Sequence, residues 1–206
     1  MAGNCICDDE ACREASKQEI IRRYFDALNA LAKGSTSEKE AQKIELLMNM
    51  AGITVTDRKV VIKALERAKE TDGPAAALEL RDGRIITGKT TNLLGASAAL
   101  LLNVLKVLAG IDHETHIISP ESIEPIQKLK VDYLKSKNPR LHTDEVLIAL
   151  SASAATNPQA RLALSQLPEL AGCQAHTSVM LSDVDIKIFK KLEVQLTSEA
   201  VYEHAL

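Results

Sequence analysis

The sequence predicts an α/β protein in which a helical N-terminal unit precedes a mixed, mostly parallel sheet with covering helices. Three observations support this fold class. Apolar residues recur at helical spacing through the first third of the chain, a strong hairpin signal follows Pro74, and strand-like and helix-like segments then alternate. Such alternation is typical of a sheet whose parallel strands are joined by helices. We therefore predict a helical unit at residues 1–73 and an α/β domain at residues 74–206.

The helical unit is predicted to contain three helices. Residues 9–33 form the first, because Ile20, Ile21, Tyr24, Leu28 and Leu31 recur about every 3.6 residues. Gly34 ends it, and helices near residues 37–51 and 57–71 follow.

The α/β domain is predicted to begin with a hairpin, because Asp82-Gly83 is a strong signal for a tight turn between strands. Strands are predicted at 75–80, 84–87, 116–118, 177–181 and 194–197, and helices at 91–109, 120–136, from Thr143, from Asn157 and at 183–192.

Composition excludes several classes of partner. Of the 206 residues, 46% are hydrophobic and only 2% aromatic, so the core is aliphatic and aromatic platforms for base stacking are nearly absent. The net charge is −3 and the pI about 6.0, which argues against nucleic acid and anionic membranes as partners. We see no secretory signal or membrane span, and three of the four cysteines crowd the N-terminus, so we expect a cytoplasmic protein with reduced thiols.

Residues 83–90 match the P-loop pattern G-x-x-x-x-G-K-[ST]. A phosphate loop needs a flexible turn between a strand and a helix, whereas Ile85 and Ile86 favour a strand that returns from the turn at Asp82-Gly83. We therefore predict a hairpin arm and keep nucleotide binding at 83–90 as a further alternative. A weaker form of the idea survives, because Lys89 and Thr90 precede a helix whose N-terminus would attract anions.

No complete metal site is visible. His113 and His116 are three residues apart, one short of the spacing that places two histidines of H-E-x-x-H on one helical face. Cys5, Cys7 and Cys12 have no partners at zinc-finger spacing. We expect no cofactor and no stoichiometric zinc.

Several longer stretches resemble an uncharacterised bacterial family, domain of unknown function 1846. They are GRIITGKTTNLLGASAALLLN at 83–103, the segment 118–158 and LPELAGCQAHTSVMLS at 167–182, together with residues 1–4 and 13–24. The resemblance covers nearly the whole chain and is to the C-terminal part of the family's proteins. It implies that Met1 corresponds to an internal methionine and that an N-terminal portion is absent. Some members carry the label ATP-dependent zinc protease, which these residues do not support.

The order of the predicted elements is also similar to that of cytidine-deaminase-like folds. Zinc deaminases place H-x-E or C-x-E on one helix and P-C-x-x-C on the next. The corresponding positions are 94–97 and 120–124, where no cysteine occurs and Glu121 and Glu124 take the cysteine positions. The resemblance therefore implies a related order of elements without zinc ligands.

The best candidate site combines a polar loop at 137–145 with two helix starts. Arg140 could bind a carboxylate or phosphate through two hydrogen bonds, and His142 could transfer a proton. Helix starts that follow neighbouring strands would point free N–H groups at the same edge. The candidate ligand-binding residues are Lys89, Thr90, Ser119, Glu121, Arg140 and His142. The competing interpretation is that Arg140 pairs with Asp144 or Glu145 and fastens the loop. We also expect His176 to open a strand and Asp183 to cap a helix.

Two functions stay open. The first is a cytoplasmic enzyme or enzyme remnant that binds a small anionic ligand at these residues. The second is a non-catalytic oligomerisation or regulatory module whose helices in 9–71 pack against another subunit or against the absent N-terminal portion. No residue is assigned a catalytic role, and whether the chain is an enzyme stays undecided.

Overall fold

The computed structural model describes residues 8–203. Two earlier expectations, for Cys5 and Cys7, lie outside these residues. The helices are α1 (Asp9–Ala32), α2 (Glu38–Ala51), α3 (Lys59–Thr71), α4 (Ala96–Leu108), α5 (Pro120–Lys128), α6 (Thr143–Ser153), α7 (Pro158–Leu164) and α8 (Asp183–Lys191), with a π-helical turn at Leu129–Tyr133 and 3₁₀ turns at Val55–Asp57 and Leu167–Leu170. The strands are β1 (Ala75–Glu79), β2 (Ile85–Lys89), β3 (Gln174–Thr177) and β4 (Gln195–Ser198).

The four strands form one mixed sheet in the order β2-β1-β3-β4, which confirms a mixed α/β fold. β1 pairs antiparallel with both β2 and β3, and only β3 and β4 are parallel. The sheet is thus less parallel than predicted. Parallel neighbours need a crossover connection, and α8 supplies the one between β3 and β4, whereas a tight hairpin joins β1 to β2.

The central strand β1 is buried on both faces. Ala76 and Leu78 belong to the main core together with residues of α4, while Ala77 packs with Val60 and Ala64 of α3. Small side chains on β1 allow both helices to approach the sheet closely. Because α3 shares a core with the sheet, the division after residue 73 stays a prediction.

The segment that matches the P-loop pattern is the hairpin arm that we expected. Gly83 lies in the turn with φ of +82°, where a side chain is strained, and Ala75 pairs with Lys89 across the ladder. A Cβ on Gly88 would lie 2.2 Å from the backbone nitrogen of Leu100, so this glycine is needed where β2 meets α4. Both glycines have structural reasons, and the alternative of nucleotide binding at 83–90 is wrong for this backbone.

Three predicted elements differ from the structure. Residues 116–118 form an irregular segment and not a strand. Ile117 and Ile118 are buried in the main core, which explains their apolar character without strand pairing. α4 begins at Ala96, several residues later than predicted. β3 lies at Gln174–Thr177 instead of 177–181, so His176 is inside the strand, where Thr197 and Glu199 provide its hydrogen-bond partners.

Neither a metal cluster nor a membrane-spanning helix is found in the described part of the chain. No group of three or more His, Cys, Asp or Glu side chains there is arranged to hold a metal ion. None of the helices between residues 8 and 203 is long and apolar enough to cross a membrane.

Candidate functional site: a polar cavity at the start of α4

Two loops that are distant in sequence run side by side before α4 and α6. The backbone nitrogen of Leu141 donates to the carbonyl of Leu93 at 2.9 Å, and the nitrogen of Gly95 donates to the carbonyl of Leu141 at 3.2 Å. These bonds form a short parallel bridge between Leu94 and Leu141. The bridge brings the residues after β2 next to those that precede α6.

A cavity of about 60 Å³ lies where these loops meet the start of α8. Its volume is several times the roughly 10–15 Å³ that admits one water molecule, and far below the roughly 300–1,000 Å³ of a typical ligand pocket. It therefore suits a charged headgroup rather than a whole nucleotide. The polar residues that line it are Thr90, Ser97, Asn138, Arg140, His142, Ser182, Asp185 and Glu203.

Hydrogen-bonding groups at the cavity are left without partners. The hydroxyl oxygen of Thr90 is fully buried and has no hydrogen-bond partner among residues 8–203. The first turn of α4, from Gly95 to Ser97, also lines the cavity, and no side chain caps this helix. Free N–H groups and the positive end of a helix dipole favour an anion.

Asp185, in the first turn of α8, anchors one wall of the cavity. It is only 3% exposed. One carboxylate oxygen accepts hydrogen bonds from the backbone nitrogen and hydroxyl of Thr143, at 2.9 and 2.8 Å. The other lies 2.7 Å from the hydroxyl of Ser182 and 3.0 Å from Nδ1 of His142. Burial by itself would raise the pKa of Asp185, but the hydrogen bonds from His142, Thr143 and Ser182 outweigh it and lower the pKa to about 2.

This ionised carboxylate fixes the orientation of His142. Because Asp185 can only accept, Nδ1 of His142 carries the proton in this contact, and the ring is directed by its neighbour. The hydrogen bond to Asp185 raises the pKa of His142 despite partial burial. The side chain of His142 is 32% exposed and lines the cavity, so the imidazole can donate a hydrogen bond to an anion when it is protonated.

Arg140 is held over the cavity by two contacts. Its Nε donates to the carbonyl of Thr91 at 3.1 Å, and its Nη1 lies 2.7 Å from Oε1 of Glu203. Neither Asp144 nor Glu145 is its partner, although the competing interpretation named both. Glu145 instead pairs with the buried Lys130 at 2.7 Å, and Lys130 also donates to the carbonyl of Arg140 at 2.6 Å.

The structure brings together three of the six candidate residues. Thr90, Arg140 and His142 line the cavity. Lys89 is exposed at the end of β2, while Ser119 and Glu121 are exposed at the start of α5. None of these three residues lines the cavity. We predicted that two helix N-termini point at one site, but only the N-terminus of α4 lies at the cavity.

Three important residues were missed from the sequence. Asp185 was not among the candidate site residues, and Ser182 caps α8 in the position expected for Asp183. The spacing of Ser182 and Asp185 fits a capping box, [ST]-x-x-[DE], and this signal could have pointed to both. Glu203 could not have been found, because nothing local links it to Arg140.

Comparisons with known proteins identify the family. A model described as "Domain of unknown function DUF1846, C-terminal" matches residues 56–206, and the N-terminal model of the same family matches residues 1–52. The chain belongs to this family. The resemblance is therefore not confined to the family's C-terminal part, since residues 1–52 match the N-terminal domain.

The chain is also similar to several bacterial proteins named UPF0371 protein. The chain is 58% identical to one from Corynebacterium aurimucosum over 202 residues, 53% to one from Corynebacterium glutamicum over 203 residues, and 48% to one from Streptococcus thermophilus over 204 residues. Each alignment covers 98–99% of this chain but 41% of the relative. The chain thus spans well under half the length of these relatives.

Proposed function

We propose that this domain binds a small anionic ligand, through a carboxylate or phosphate group, in the cavity at the start of α4. The observation that carries the proposal is the buried hydroxyl of Thr90, which has no partner within the described residues although it lies beside an uncapped helix start. Leaving a buried polar group unpaired costs roughly 1–3 kcal/mol. A ligand oxygen at this position would supply the missing partner.

The hydrogen-bond donors around the cavity support an anion rather than a cation. Arg140, His142 and the first turn of α4 all line it. Two carboxylates line it too, but that of Asp185 is engaged by four hydrogen-bonding atoms of neighbouring residues and that of Glu203 by Arg140. In this proposal Arg140 grips the anion, Thr90 donates to it, and His142 donates in its protonated form. The domain would be part of a cytoplasmic enzyme or of its remnant.

A titration with inorganic phosphate and with succinate, followed by backbone amide NMR shifts, tests the proposal. Shifts should cluster at residues 90–97 and 138–142. Arg140→Gln should weaken binding by about tenfold, since hydrogen bonds to charged groups contribute roughly 1.5–3 kcal/mol. Arg84→Gln removes the same charge from the exposed hairpin turn and should change nothing. The proposal fails if neither anion shifts these amides, or if both variants behave alike.

An exposed aliphatic face favours a second candidate, a docking or oligomerisation module. Met50 of α2 is 79% exposed, and Leu46 and Leu47 on the same helix are also exposed. α3 carries two further exposed aliphatic side chains, Ile62 and Leu65. Exposed apolar patches mark interaction sites. A second copy of the chain would cover this face, as would a part of the longer relatives outside the matched 41% of their length.

Sedimentation measurements separate these possibilities. Self-association that is abolished by Met50→Lys, and is unaffected by Ile148→Lys on the exposed side of α6, would support the second copy. A chain that stays monomeric at all concentrations would rule that copy out.

A further inference from the structure

We propose that Glu203 is an internal occupant of the anion-binding cavity, so that residues 199–203 form a strap that a ligand must displace. This inference rests on the proposed function of the cavity. It adds a means by which the chain controls access to its own site.

The strap runs from the end of β4 across the loop that follows β3. The nitrogen of Glu199 donates to the carbonyl of Thr177 at 2.9 Å, and the nitrogen of Met180 donates to the carbonyl of Val201 at 2.8 Å. These bonds direct the chain towards the cavity. At its end, the carboxylate of Glu203 reaches Nη1 of Arg140 at 2.7 Å, and Glu203 itself lines the cavity.

Glu203 and a ligand anion would compete for the same donors. The Nε of Arg140 is committed to the carbonyl of Thr91, so the outer nitrogens of the guanidinium are the ones that can grip a carboxylate. One of them already holds Glu203. Three outer N–H groups stay free, but a ligand carboxylate that takes one bond from each outer nitrogen shares Nη1 with Glu203. The two carboxylates repel each other at that nitrogen, so in this proposal the ligand replaces the side chain of Glu203.

The end of the strap, residues 201–203, is suited to displacement, while Glu199 stays bonded to the buried His176. Tyr202 is 56% exposed and Val201 is also exposed, so lifting this end uncovers little apolar surface. The ion pair is itself partly exposed, and such pairs contribute little to stability. If the strap stayed in place permanently, the buried hydroxyl of Thr90 would have no partner among the described residues, since the carboxylate of Glu203 bonds to Arg140 and not to Thr90.

The test measures binding of succinate and of inorganic phosphate to the full chain and to Glu203→Gln, which keeps the size of the side chain and removes its charge. We expect both anions to bind roughly two- to fivefold more tightly to the variant, as expected for loss of a partly exposed competing ion pair. In the unchanged chain, the amides of residues 201–203 should shift on addition of either anion. Glu124→Gln, on the exposed face of α5, is the matched control and should bind like the unchanged chain.

The outcomes separate the two proposals. If the unchanged chain binds anions and Glu203→Gln binds them no more tightly, the strap is wrong while the anion site stands. If neither chain binds either anion, the proposed function fails and the strap with it. Binding that appears only in Glu203→Gln supports both. Tightening with succinate but not with phosphate would assign the site to carboxylates.

Discussion

Two buried polar networks in this fold have opposite properties. Arg58 is 1% exposed, and each of its five N–H donors has an acceptor: Thr197, Gln18, Gln174 and the carbonyls of Ala175 and Gln195. The cavity at the start of α4 instead holds a buried hydroxyl without a partner and an uncapped helix. The first network is complete by itself, whereas the second has hydrogen-bonding groups left over.

Unused hydrogen-bonding groups, and not burial alone, distinguish the cavity from the network of Arg58. All the acceptors of Arg58 are neutral, and burial is the main reason that its pKa falls to about 10, which still leaves it charged near neutral pH. Its network ties α1 and the start of α3 to the strands β3 and β4, and none of its N–H donors is left for a ligand. We therefore interpret Arg58 as structural and the cavity as functional.

The largest expected effect comes from removing the charge at Arg58. Arg58→Met leaves the five acceptors without their donor, and we expect a loss of about 3–5 kcal/mol in the free energy of unfolding. Urea denaturation followed by circular dichroism measures it. Arg84→Met, in the exposed hairpin turn, is the control and should change stability by less than about 0.5 kcal/mol. If the two variants are equally stable, the interpretation of Arg58 as a structural centre is wrong.

How far the sequence predicted each network depends on the range of its contacts. The helices α1 and α3 and the hairpin at Gly83 were predicted because periodicity and turn chemistry act over a few residues. The strand expected at 116–118 failed because Ile117 and Ile118 signal burial, and burial does not require strand pairing. β3 was displaced because its ends are set by pairing with β1 and β4.

The sequence grouped candidate site residues most directly where they lie close together in the chain. Arg140 and His142 stood out because they share one polar loop. That Thr90 joins them depends on the bridge between Leu94 and Leu141, which no local pattern announces. Lys89 was included because it precedes a helix, but it ends a strand and points its charge into solvent instead.

The second prediction concerns Asp185. It belongs to the cavity wall, but its side chain, like that of Arg58, is fully engaged in hydrogen bonds with neighbouring residues. Its pKa is lowered from 3.8 to about 2, so it contributes stability above pH 3.8 that is lost as the pH falls towards 2. The shift corresponds to about 2 kcal/mol. Asp185→Asn should be less stable than the unchanged chain by roughly this amount near neutral pH, and the gap should narrow between pH 4 and pH 2. Urea denaturation across this range measures it, and a gap that does not narrow would show that the carboxylate's charge is not responsible.

The smallest expected effect is an increase in stability, at Thr90. It distinguishes the cavity from the network of Arg58, where any substitution should lower stability. Thr90→Val replaces an unpartnered buried hydroxyl by a methyl group of similar shape, and we expect stability to rise by about 1 kcal/mol. Thr143 is the matched control: its hydroxyl donates to Asp185 at 2.8 Å, so Thr143→Val should lower stability by about 1 kcal/mol or more. Thermal unfolding of the two variants measures these opposite signs. Thr90→Val should also bind phosphate several-fold more weakly, because the hydroxyl that donates to the bound anion in our proposal is removed. If Thr90→Val is less stable than the unchanged chain in the absence of ligand, the hydroxyl has a hydrogen-bond partner within the protein. The cavity would then have no unpaired side chain, like the network of Arg58.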